Sequence, residues 1–253
     1  MPEIEARDVV KYFAHQKHTL CAINGISLSA SAGEFVCIVG PSGCGKSTFL
    51  RILAGLEKPD SGEIFINGKP VHDTGPGRIM VFQEGALFPW LKVKDNVEFG
   101  LKVSGIPSKE RSQISSRYLS MMQLDKFAEY YTYQISTGMK QRVAIARALV
   151  MDPDVLLMDE PFAALDAQTR DLLLSEMQEI WMRTKKTILF VTHNVSEATV
   201  LGTRVVVFGG RPSFVKGEFI IDAQRPRHTD DSSLVNLQKE IRKKLASSSE
   251  VEK

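Results

Sequence analysis

The chain contains the nonapeptide Gly40-Pro41-Ser42-Gly43-Cys44-Gly45-Lys46-Ser47-Thr48, which fits the pattern G-x-x-x-x-G-K-[ST]. The apolar, β-branched run 34–39 precedes it and predicts a strand, and residues 49–54 follow it and predict a helix. A strand, a glycine-rich loop and a helix in this order are the context in which the pattern forms a phosphate-binding loop. A chance loop of glycine and serine is the alternative, and the flanking elements disfavour it.

The residue types in this loop explain how it would hold a nucleoside triphosphate. Its glycines let the backbone turn so that successive N–H groups point at phosphate oxygens, and the helix N-terminus adds partial positive charge. Lys46 brings a full charge to the β- and γ-phosphates, and the Ser47 hydroxyl is a ligand for Mg²⁺. The sequence therefore predicts binding of a nucleoside triphosphate together with Mg²⁺.

The length of 253 residues and the formal net charge of +2 limit the class of protein. The length suits one large domain or one core with an inserted subdomain, and the balanced charge gives no strong attraction for nucleic acid. The three cysteines have no metal-ligand spacing, and their odd number argues against a disulfide framework. The polar N-terminus does not resemble a signal peptide, no apolar run reaches the length of a membrane-spanning helix, and the tail 247–253 is expected to fray.

The order of apolar runs predicts an α/β fold: a P-loop NTPase core with an N-terminal antiparallel β subdomain and an inserted α-helical subdomain. Early strands are expected at 4–12 and 26–30, with turns at Asn24-Gly25 and Ala32-Gly33. The segment from about 88 to 140 changes to a helical pattern and forms the insertion. The other predicted strands are 34–39, 63–66, 79–82, 155–158, 187–191 and 205–208, and the predicted helices are 93–103, 109–131, 138–150, 166–184, 195–201 and 233–245.

Polar side chains stand at the predicted C-terminal ends of three strands. Asp159 and Glu160 follow the apolar run 155–158, Gln83 follows 79–82, and His193 follows 187–192. In open α/β sheets the ligand crevice lies at these ends, so the four side chains are expected near the phosphates. Asp159 suits Mg²⁺, the Gln83 amide can reach Mg²⁺ or water, Glu160 suits a group that polarises the attacking water, and His193 can contact the γ-phosphate. If each residue is considered alone, Gln83 could instead be an ordinary surface glutamine and His193 a structural histidine.

With these motifs the chain resembles an ATP-binding cassette (ABC) ATPase, the motor subunit of ABC transporters, over residues 3 to about 210. Gly40 to Thr48 matches the Walker A motif, Gln83 the Q-loop, and 156–160 the Walker B motif. The run 135–142 matches the signature motif, Ala164-Leu165-Asp166 the D-loop, and His193 the H-loop. Phe13, with Tyr12 as the alternative, is placed like the aromatic residue that stacks on adenine.

The resemblance implies ATP and Mg²⁺ as ligands, and it assigns a role to each matched residue. It implies catalytic roles for Glu160, His193 and Gln83, and metal contacts for Ser47, Gln83 and Asp159. Nucleotide contacts fall to Phe13, to every residue from Gly40 to Thr48, and to Ser136, Gly138 and Asp166. The domain is expected to span 3–230, followed by a C-terminal helix and flexible tail at 231–253.

The signature motif implies a homodimer, because in the family Ser136 and Gly138 contact the ATP held by the other subunit. Two subunits then face head to tail and enclose two ATP molecules. The chain departs from the usual Leu-Ser-Gly-Gly, since it has Ile135-Ser136-Thr137-Gly138. Thr137 is β-branched and restricts the backbone, so we expect ATP to bind while closure or hydrolysis slows.

Three further runs resemble the nitrate, sulfonate and taurine import subfamily: the segment through Pro89-Trp90, residues 159–170, and Arg225-Pro226-Arg227. The resemblance implies integral membrane permease subunits as partners, a substrate-binding protein as an indirect one, no nucleic acid, and a peripheral place on the cytoplasmic face of the bacterial inner membrane. In the family, residues 84–91 meet the permease, although Phe88 and Trp90 could equally pack within the helical subdomain. The alternatives are an exporter or lipid-transport ATPase, a soluble ABC ATPase acting on DNA or ribosomes, and a small-molecule phosphotransferase.

Overall fold

The computed structural model describes residues 3–15, 18–83 and 85–247, and within them the chain forms the predicted α/β fold. Glu84 lies outside the described residues, as do residues 248–253 of the tail 247–253 that is expected to fray. The strands are β1 (Ile4–His15), β2 (His18–Ala30), β3 (Phe35–Val39), β4 (Ser61–Ile66), β5 (Lys69–Pro70), β6 (Arg78–Val81), β7 (Val155–Asp159), β8 (Thr187–Thr192), β9 (Arg204–Phe208) and β10 (Val215–Ile220). The helices are α1 (Lys46–Ala54), α2 (Val93–Val103), α3 (Ser108–Met121), α4 (Thr137–Leu149), α5 (Ala167–Thr184), α6 (Val195–Leu201) and α7 (Ser232–Ala246), with short 3-10 turns at Asp125–Phe127 and Thr132–Gln134.

A six-stranded sheet in the order β10-β9-β3-β8-β7-β6 forms the centre of the core. Its strands are parallel except β10, which pairs antiparallel with β9 at one edge. Every residue of β3, β7 and β8 is buried, because helices or a second sheet cover both faces. The continuous apolar runs in the sequence predict this double cover.

Side chains of the central strands alternate between two apolar cores, as the period of two in a strand requires. On β3, Phe35, Cys37 and Val39 join a core shared with α2, α4, α5 and α6. Val36 and Ile38 join the other core, which α1 and the N-terminal sheet complete. The central sheet is thus held rigidly from both sides, and the loops at its edge start from fixed positions.

The N-terminal antiparallel sheet has the order β2-β1-β4-β5 and lies over α1. The predicted turn at Asn24-Gly25 is wrong, since β2 continues through both residues. Val9 pairs with Ile26 and Lys11 with Ile23, so β2 carries one more residue than β1 over this interval and forms a β-bulge. Gly25 has φ +68°, a left-handed conformation that glycine adopts without a steric penalty.

The helical segment between β6 and β7 contains α2, α3, the two 3-10 turns and α4. The prediction of one helix over 109–131 is wrong, because α3 ends at Met121. Gln123 has φ +55°, its N–H donates to Ser120 O at 3.0 Å, and the Leu124 N–H donates to Leu119 O at 2.8 Å. This pair of hydrogen bonds closes the helix in a Schellman motif, with Gln123 where glycine is usual.

The C-terminal part adds one strand that the sequence did not predict. β10 contains Gly217, and its pairing with β9 shifts in register next to that residue. Both features interrupt the alternation of apolar and polar residues that would predict a strand. Helix α7 packs its buried Leu234 and Ile241 against the core, and its Gln238 Nε2 donates to Thr199 Oγ1 on α6 at 3.1 Å. Among the described residues, none of the helices combines the length and the apolar character that crossing a membrane requires.

Candidate functional site

The C-terminal ends of three neighbouring strands bring the predicted residues to one edge of the central sheet. Val39, the last residue of β3, pairs with Thr192 of β8, and Val191 of β8 pairs with Asp159 of β7. The phosphate loop follows β3, Glu160 follows β7, and His193 follows β8. The parallel register therefore places all three chain segments side by side, as the strand-end pattern predicts.

The loop between β3 and α1 has the curled backbone that a phosphate group needs. Gly43 and Gly45 have φ +71° and +103°, which residues with a Cβ rarely adopt. A Cβ on Gly45 would also lie 2.9 Å from Ala22 O of β2. Helix α1 begins at Lys46 without a side-chain cap, so its N-terminus presents backbone donors toward the loop.

The Lys46 ammonium lies at the centre of this loop and is almost wholly buried. Its Nζ donates to Gly40 O at 2.9 Å and to Pro41 O at 3.1 Å, and it lies 3.7 Å from Glu160 Oε1. A buried ammonium held by two carbonyl oxygens, with one carboxylate 3.7 Å away, favours a further anion beside it, because burial penalises a charge that water does not solvate. The loop thus fits a phosphate group.

Ser47 and Asp159 form the pair that suits a metal ion, with Ser47 Oγ donating to Asp159 Oδ1 at 2.8 Å. Burial raises the pKa of the Asp159 carboxyl above its ordinary value, while the Ser47 hydrogen bond opposes that change. The described residues contain no group of three or more His, Cys, Asp or Glu side chains placed to hold a metal. A hydroxyl and one carboxylate fit Mg²⁺, which commonly takes further oxygens from nucleotide phosphates and water.

Glu160 and His193 contact each other directly: His193 Nδ1 lies 3.0 Å from Glu160 Oε2. Glu160 has φ +44°, and its N–H donates to Val191 O at 3.0 Å, so the backbone holds it in a left-handed conformation. Its carboxylate consequently points into the space between His193 and Lys46. The contact brings an imidazole against the carboxylate that lies beside Lys46.

Lys46, Ser47 and Glu160 open onto a cleft of about 230 Å³. Its lining residues are Phe13, Leu20, Ala22, Gly43, Gly45, Lys46, Ser47, Thr48, Glu160 and Arg211. Phe13 lines the cleft and Tyr12 does not, because neighbouring side chains on a strand point to opposite faces. The sequence did not single out Leu20, Ala22 or Arg211, which come from β2 and from the β9–β10 loop.

The other residues of the nonapeptide have different surroundings. Pro41 and Ser42 are exposed, whereas Gly40 and Cys44 are buried. The Cys44 thiol turns inward, and a Cβ on Gly40 would lie 2.8 Å from its sulfur. Cys44 therefore contributes its backbone to the loop and keeps its side chain in the core, and this burial raises the pKa of its thiol.

Six predicted residues outside the nonapeptide do not line this cleft. Asp159 and His193 contact the lining residues Ser47 and Glu160, whereas the other four lie elsewhere: Gln83, Ser136, Gly138 and Asp166. Gln83 lies exposed in a turn after β6. Ser136 is the N-cap of α4 and accepts a hydrogen bond from the Met139 N–H at 3.3 Å, and Asp166 caps α5 by accepting from the Thr169 N–H at 3.0 Å. A Cβ on Gly138 would lie 2.5 Å from Thr169 Cγ2, so the starts of α4 and α5 form a separate cluster.

Comparison with known proteins identifies the family. The family described as ABC transporter matches residues 23–163. The chain is 44% identical to the nitrate import ATP-binding protein NrtD of Synechocystis sp., over 94% of this chain and 89% of that one, and 45% identical to the taurine import ATP-binding protein TauB of Roseobacter denitrificans, over 78% and 74%. A dimeric structure of a post-hydrolysis state of the ATP-binding cassette MJ0796, bound to ADP and Pi, superimposes with a TM-score of 0.78 at 31% identity, over 87% of this chain and 100% of that one. The chain therefore belongs to the ABC transporter family, as an ATP-binding subunit that hydrolyses ATP.

Proposed function

We propose that this chain energises the import of a small anion, such as nitrate, a sulfonate or a taurine-like compound, through partner permease subunits. The observation that carries the proposal is similarity along most of the chain, at 44% and 45% identity, to two import ATP-binding proteins. A substrate-binding protein would act indirectly, through the permease. The subunit would work peripherally, at the cytoplasmic face of the bacterial inner membrane.

In the proposed binding step, the phosphates of ATP take the place of the carbonyl contacts of Lys46 in the cleft. The loop N–H groups and the start of α1 contact phosphate oxygens, and Phe13 stacks on adenine. Ser47 and Asp159 would hold Mg²⁺, with Gln83 as a further ligand, and the chemistry supplied by the ion there would be neutralisation of phosphate charge. The 2.8 Å contact between Ser47 Oγ and Asp159 Oδ1 supports the shared role of these two residues.

In the proposed hydrolysis step, Glu160 orients the attacking water and accepts its proton. His193 holds the γ-phosphate, and Gln83 contributes after it moves into the cleft. The 3.0 Å contact between His193 and Glu160 supports this assignment, because it restrains both side chains beside Lys46. A positioned general base typically contributes about 10²- to 10⁴-fold in rate.

We further propose that the active unit is a homodimer in which each copy completes the site of the other. Ser136, Gly138 and Asp166 lie outside the cleft of their own chain, yet Ser136 and Gly138 stand at a helix N-terminus suited to a phosphate. In a head-to-tail dimer they would face the ATP held by the second copy. The similar MJ0796 cassette was solved as a dimer.

The permease surface is proposed at the aromatic patch, defined as Phe88, Trp90 and Phe99. Phe88 packs against Phe99 with ring centroids 4.5 Å apart, whereas Trp90 is 69% exposed. The sequence left open whether Phe88 and Trp90 pack internally or face a partner, and the two residues differ in this respect. An exposed tryptophan beside packed aromatic rings is a suitable anchor for a partner helix. The same proposal treats 3–230 as the ATPase domain, about 88–140 as its helical insertion and 231–253 as a C-terminal extension.

The test is reconstitution of the ATPase with the permease and binding protein that copurify with it. In proteoliposomes, nitrate, taurine or another sulfonate, added with the binding protein, is expected to stimulate ATP hydrolysis and to accumulate inside the vesicle compartment that corresponds to the cytoplasm. A Trp90→Ala variant should keep the basal ATPase rate of the isolated subunit and lose the stimulation. Glu179→Gln, on the exposed face of α5, serves as the surface control.

Each alternative function predicts a different outcome of the copurification and reconstitution experiments. Copurification with a permease but no binding protein, and substrate movement out of the cytoplasmic compartment, would favour an exporter or lipid-transport system. Salt-sensitive nucleic-acid binding would favour a soluble ABC ATPase. Hydrolysis that no small anion stimulates in the full complex would contradict the proposed substrate class.

A further inference from the structure

The loop between β9 and β10 enters the nucleotide cleft and carries an arginine there. β9 lies next to β3 in the sheet, with Val207 paired to Val39, so the chain leaves both strands at the same edge. Arg211 follows β9 by three residues and lines the cleft together with Gly43, Lys46 and Phe13. The residue lies outside the stretch 23–163 that the family match covers.

Main-chain hydrogen bonds fix this loop against β2. Ser213 is fully buried, its N–H donates to Ala22 O at 3.0 Å, and its carbonyl accepts from the Asn24 N–H at 3.0 Å. The Gly209 N–H donates to Phe214 O at 2.8 Å and closes the loop on itself. Arg211 therefore projects from a backbone whose position is already determined, and ordering it costs little further backbone entropy.

The Arg211 side chain lies directly on the phosphate loop. Its Nε donates to Gly43 O at 2.5 Å, and a Cβ on Gly43 would lie only 1.8 Å from Arg211 Nη2. Lys46 contacts the same loop at Gly40 O and Pro41 O. The loop therefore has a cation at each of two places, one buried at its centre and one exposed at its rim.

Arg211 makes no ion pair with any carboxylate in 3–15, 18–83 or 85–247. A guanidinium keeps its charge at all ordinary pH values and offers five N–H donors, of which Nε is used at Gly43. The terminal nitrogens form a planar pair that matches two oxygens of a phosphate group. The guanidinium of Arg211 therefore suits a phosphate group in the cleft. The hydrogen bond from Nε to Gly43 O fixes the orientation of the guanidinium.

We propose that Arg211 is a nucleotide-binding residue whose guanidinium contacts the phosphates of ATP at the rim of the loop, while Nε holds the Gly43 carbonyl. The positive charge, and not only the contact with Gly43, carries the effect. The rival explanation is that Arg211 only restrains the loop. The two explanations differ in which substitutions preserve binding.

The test measures ATP binding by isothermal titration calorimetry in EDTA, which prevents turnover, on the full chain. Arg211→Ala removes charge and contact, Arg211→Gln keeps a neutral donor that can reach Gly43 O, and Arg211→Lys keeps the charge. We expect the dissociation constant to rise about tenfold for Arg211→Ala and Arg211→Gln, and less than about threefold for Arg211→Lys, as for one charge-assisted contact. Arg183→Gln on the exposed face of α5 removes the same charge elsewhere and should bind as wild type does.

Salt provides the second measurement, since screening acts on an exposed charge. Between low and high salt, the affinity of wild type should fall more steeply than that of Arg211→Gln, and thermal unfolding without nucleotide checks that each variant is folded. Wild-type affinity in Arg211→Gln would overturn the proposal and leave a loop restraint only. Equal salt dependence in wild type and Arg211→Gln would overturn it as well, and if Arg211→Ala fails to fold, the comparison of Gln with Lys decides.

Discussion

Replacing Glu160 by Gln removes one negative charge from the cleft and keeps the size of the side chain. The carboxylate lies 3.7 Å from Lys46 Nζ and 3.0 Å from His193 Nδ1, so both neighbours remain in place around the amide. Two unit charges about 4 Å apart interact by roughly 4 kcal/mol at an effective dielectric constant of about 20. This is the scale on which Glu160 attracts Lys46 and opposes an incoming phosphate at the same place.

Only a part of that interaction energy changes the free energy of ATP binding. The phosphate is attracted to Lys46 in wild type and in Glu160→Gln alike, and water screens the charges in the open cleft. We expect Glu160→Gln to favour ATP binding by at most about 1 kcal/mol, or about fivefold in dissociation constant. Turnover should fall by about 10²- to 10⁴-fold, the usual contribution of a positioned general base. Binding thus stays intact or strengthens while hydrolysis is lost.

The assay combines ATP titration in EDTA with phosphate release and gel filtration in Mg-ATP. Glu179→Gln makes the same chemical change at an exposed position on α5 and should leave all three measurements unchanged. Near-normal hydrolysis by Glu160→Gln would remove Glu160 from the catalytic role, and weaker ATP binding would refute the electrostatic reasoning. If this variant stays monomeric with ATP, alone and in its membrane complex, the proposed dimeric motor is wrong.

Three further predictions concern the helix starts near the site and a buried carboxylate. Gly138→Ala places a methyl group 2.5 Å from Thr169 Cγ2, so it should lower stability by about 1–3 kcal/mol in urea unfolding, and Thr169→Ser should restore part of that loss because it removes the methyl group and keeps the hydroxyl. Without such rescue, the close contact is not the cause. Thr137→Gly should raise the steady-state ATPase rate if the β-branched residue slows closure, and an unchanged rate would contradict that expectation. Burial raises the pKa of Glu197 above its ordinary value of 4.5, so its contribution to stability is present below that value and is lost as pH rises through the higher folded-state pKa. Glu197→Gln removes this titration, so the stability of the variant relative to wild type should rise from acid to neutral pH in urea unfolding, and a difference independent of pH would contradict the assignment.

The parts of the fold that follow local patterns could be predicted from the sequence. Continuous apolar runs identified β3, β7 and β8, because strands covered on both faces need apolar residues at every position. Helix α6 begins and ends where predicted, at Val195 and Leu201. The departures occur where other contacts override a local signal. Pairing of β2 with β1 places Gly25 in a bulge in place of a turn, and Gln123 ends α3 where neither glycine nor proline marks the stop.

The candidate site likewise contains residues that the sequence could predict and one that it could not. Lys46, Asp159, Glu160 and His193 follow strands recognisable in the sequence, and the parallel register then fixes their proximity, so a rule about strand ends was enough to bring them together. Arg211 reaches Gly43 across 168 residues, from a loop whose preceding strand was predicted and whose following strand was not. No spacing in the sequence encodes that contact, because it depends on β10 returning antiparallel beside β9 and on Ser213 binding the β2 backbone. Residues that stand at the ends of their own strands can therefore be found by sequence reasoning. An arginine that a neighbouring loop brings to the cleft can be found only once the strands of the sheet have been placed.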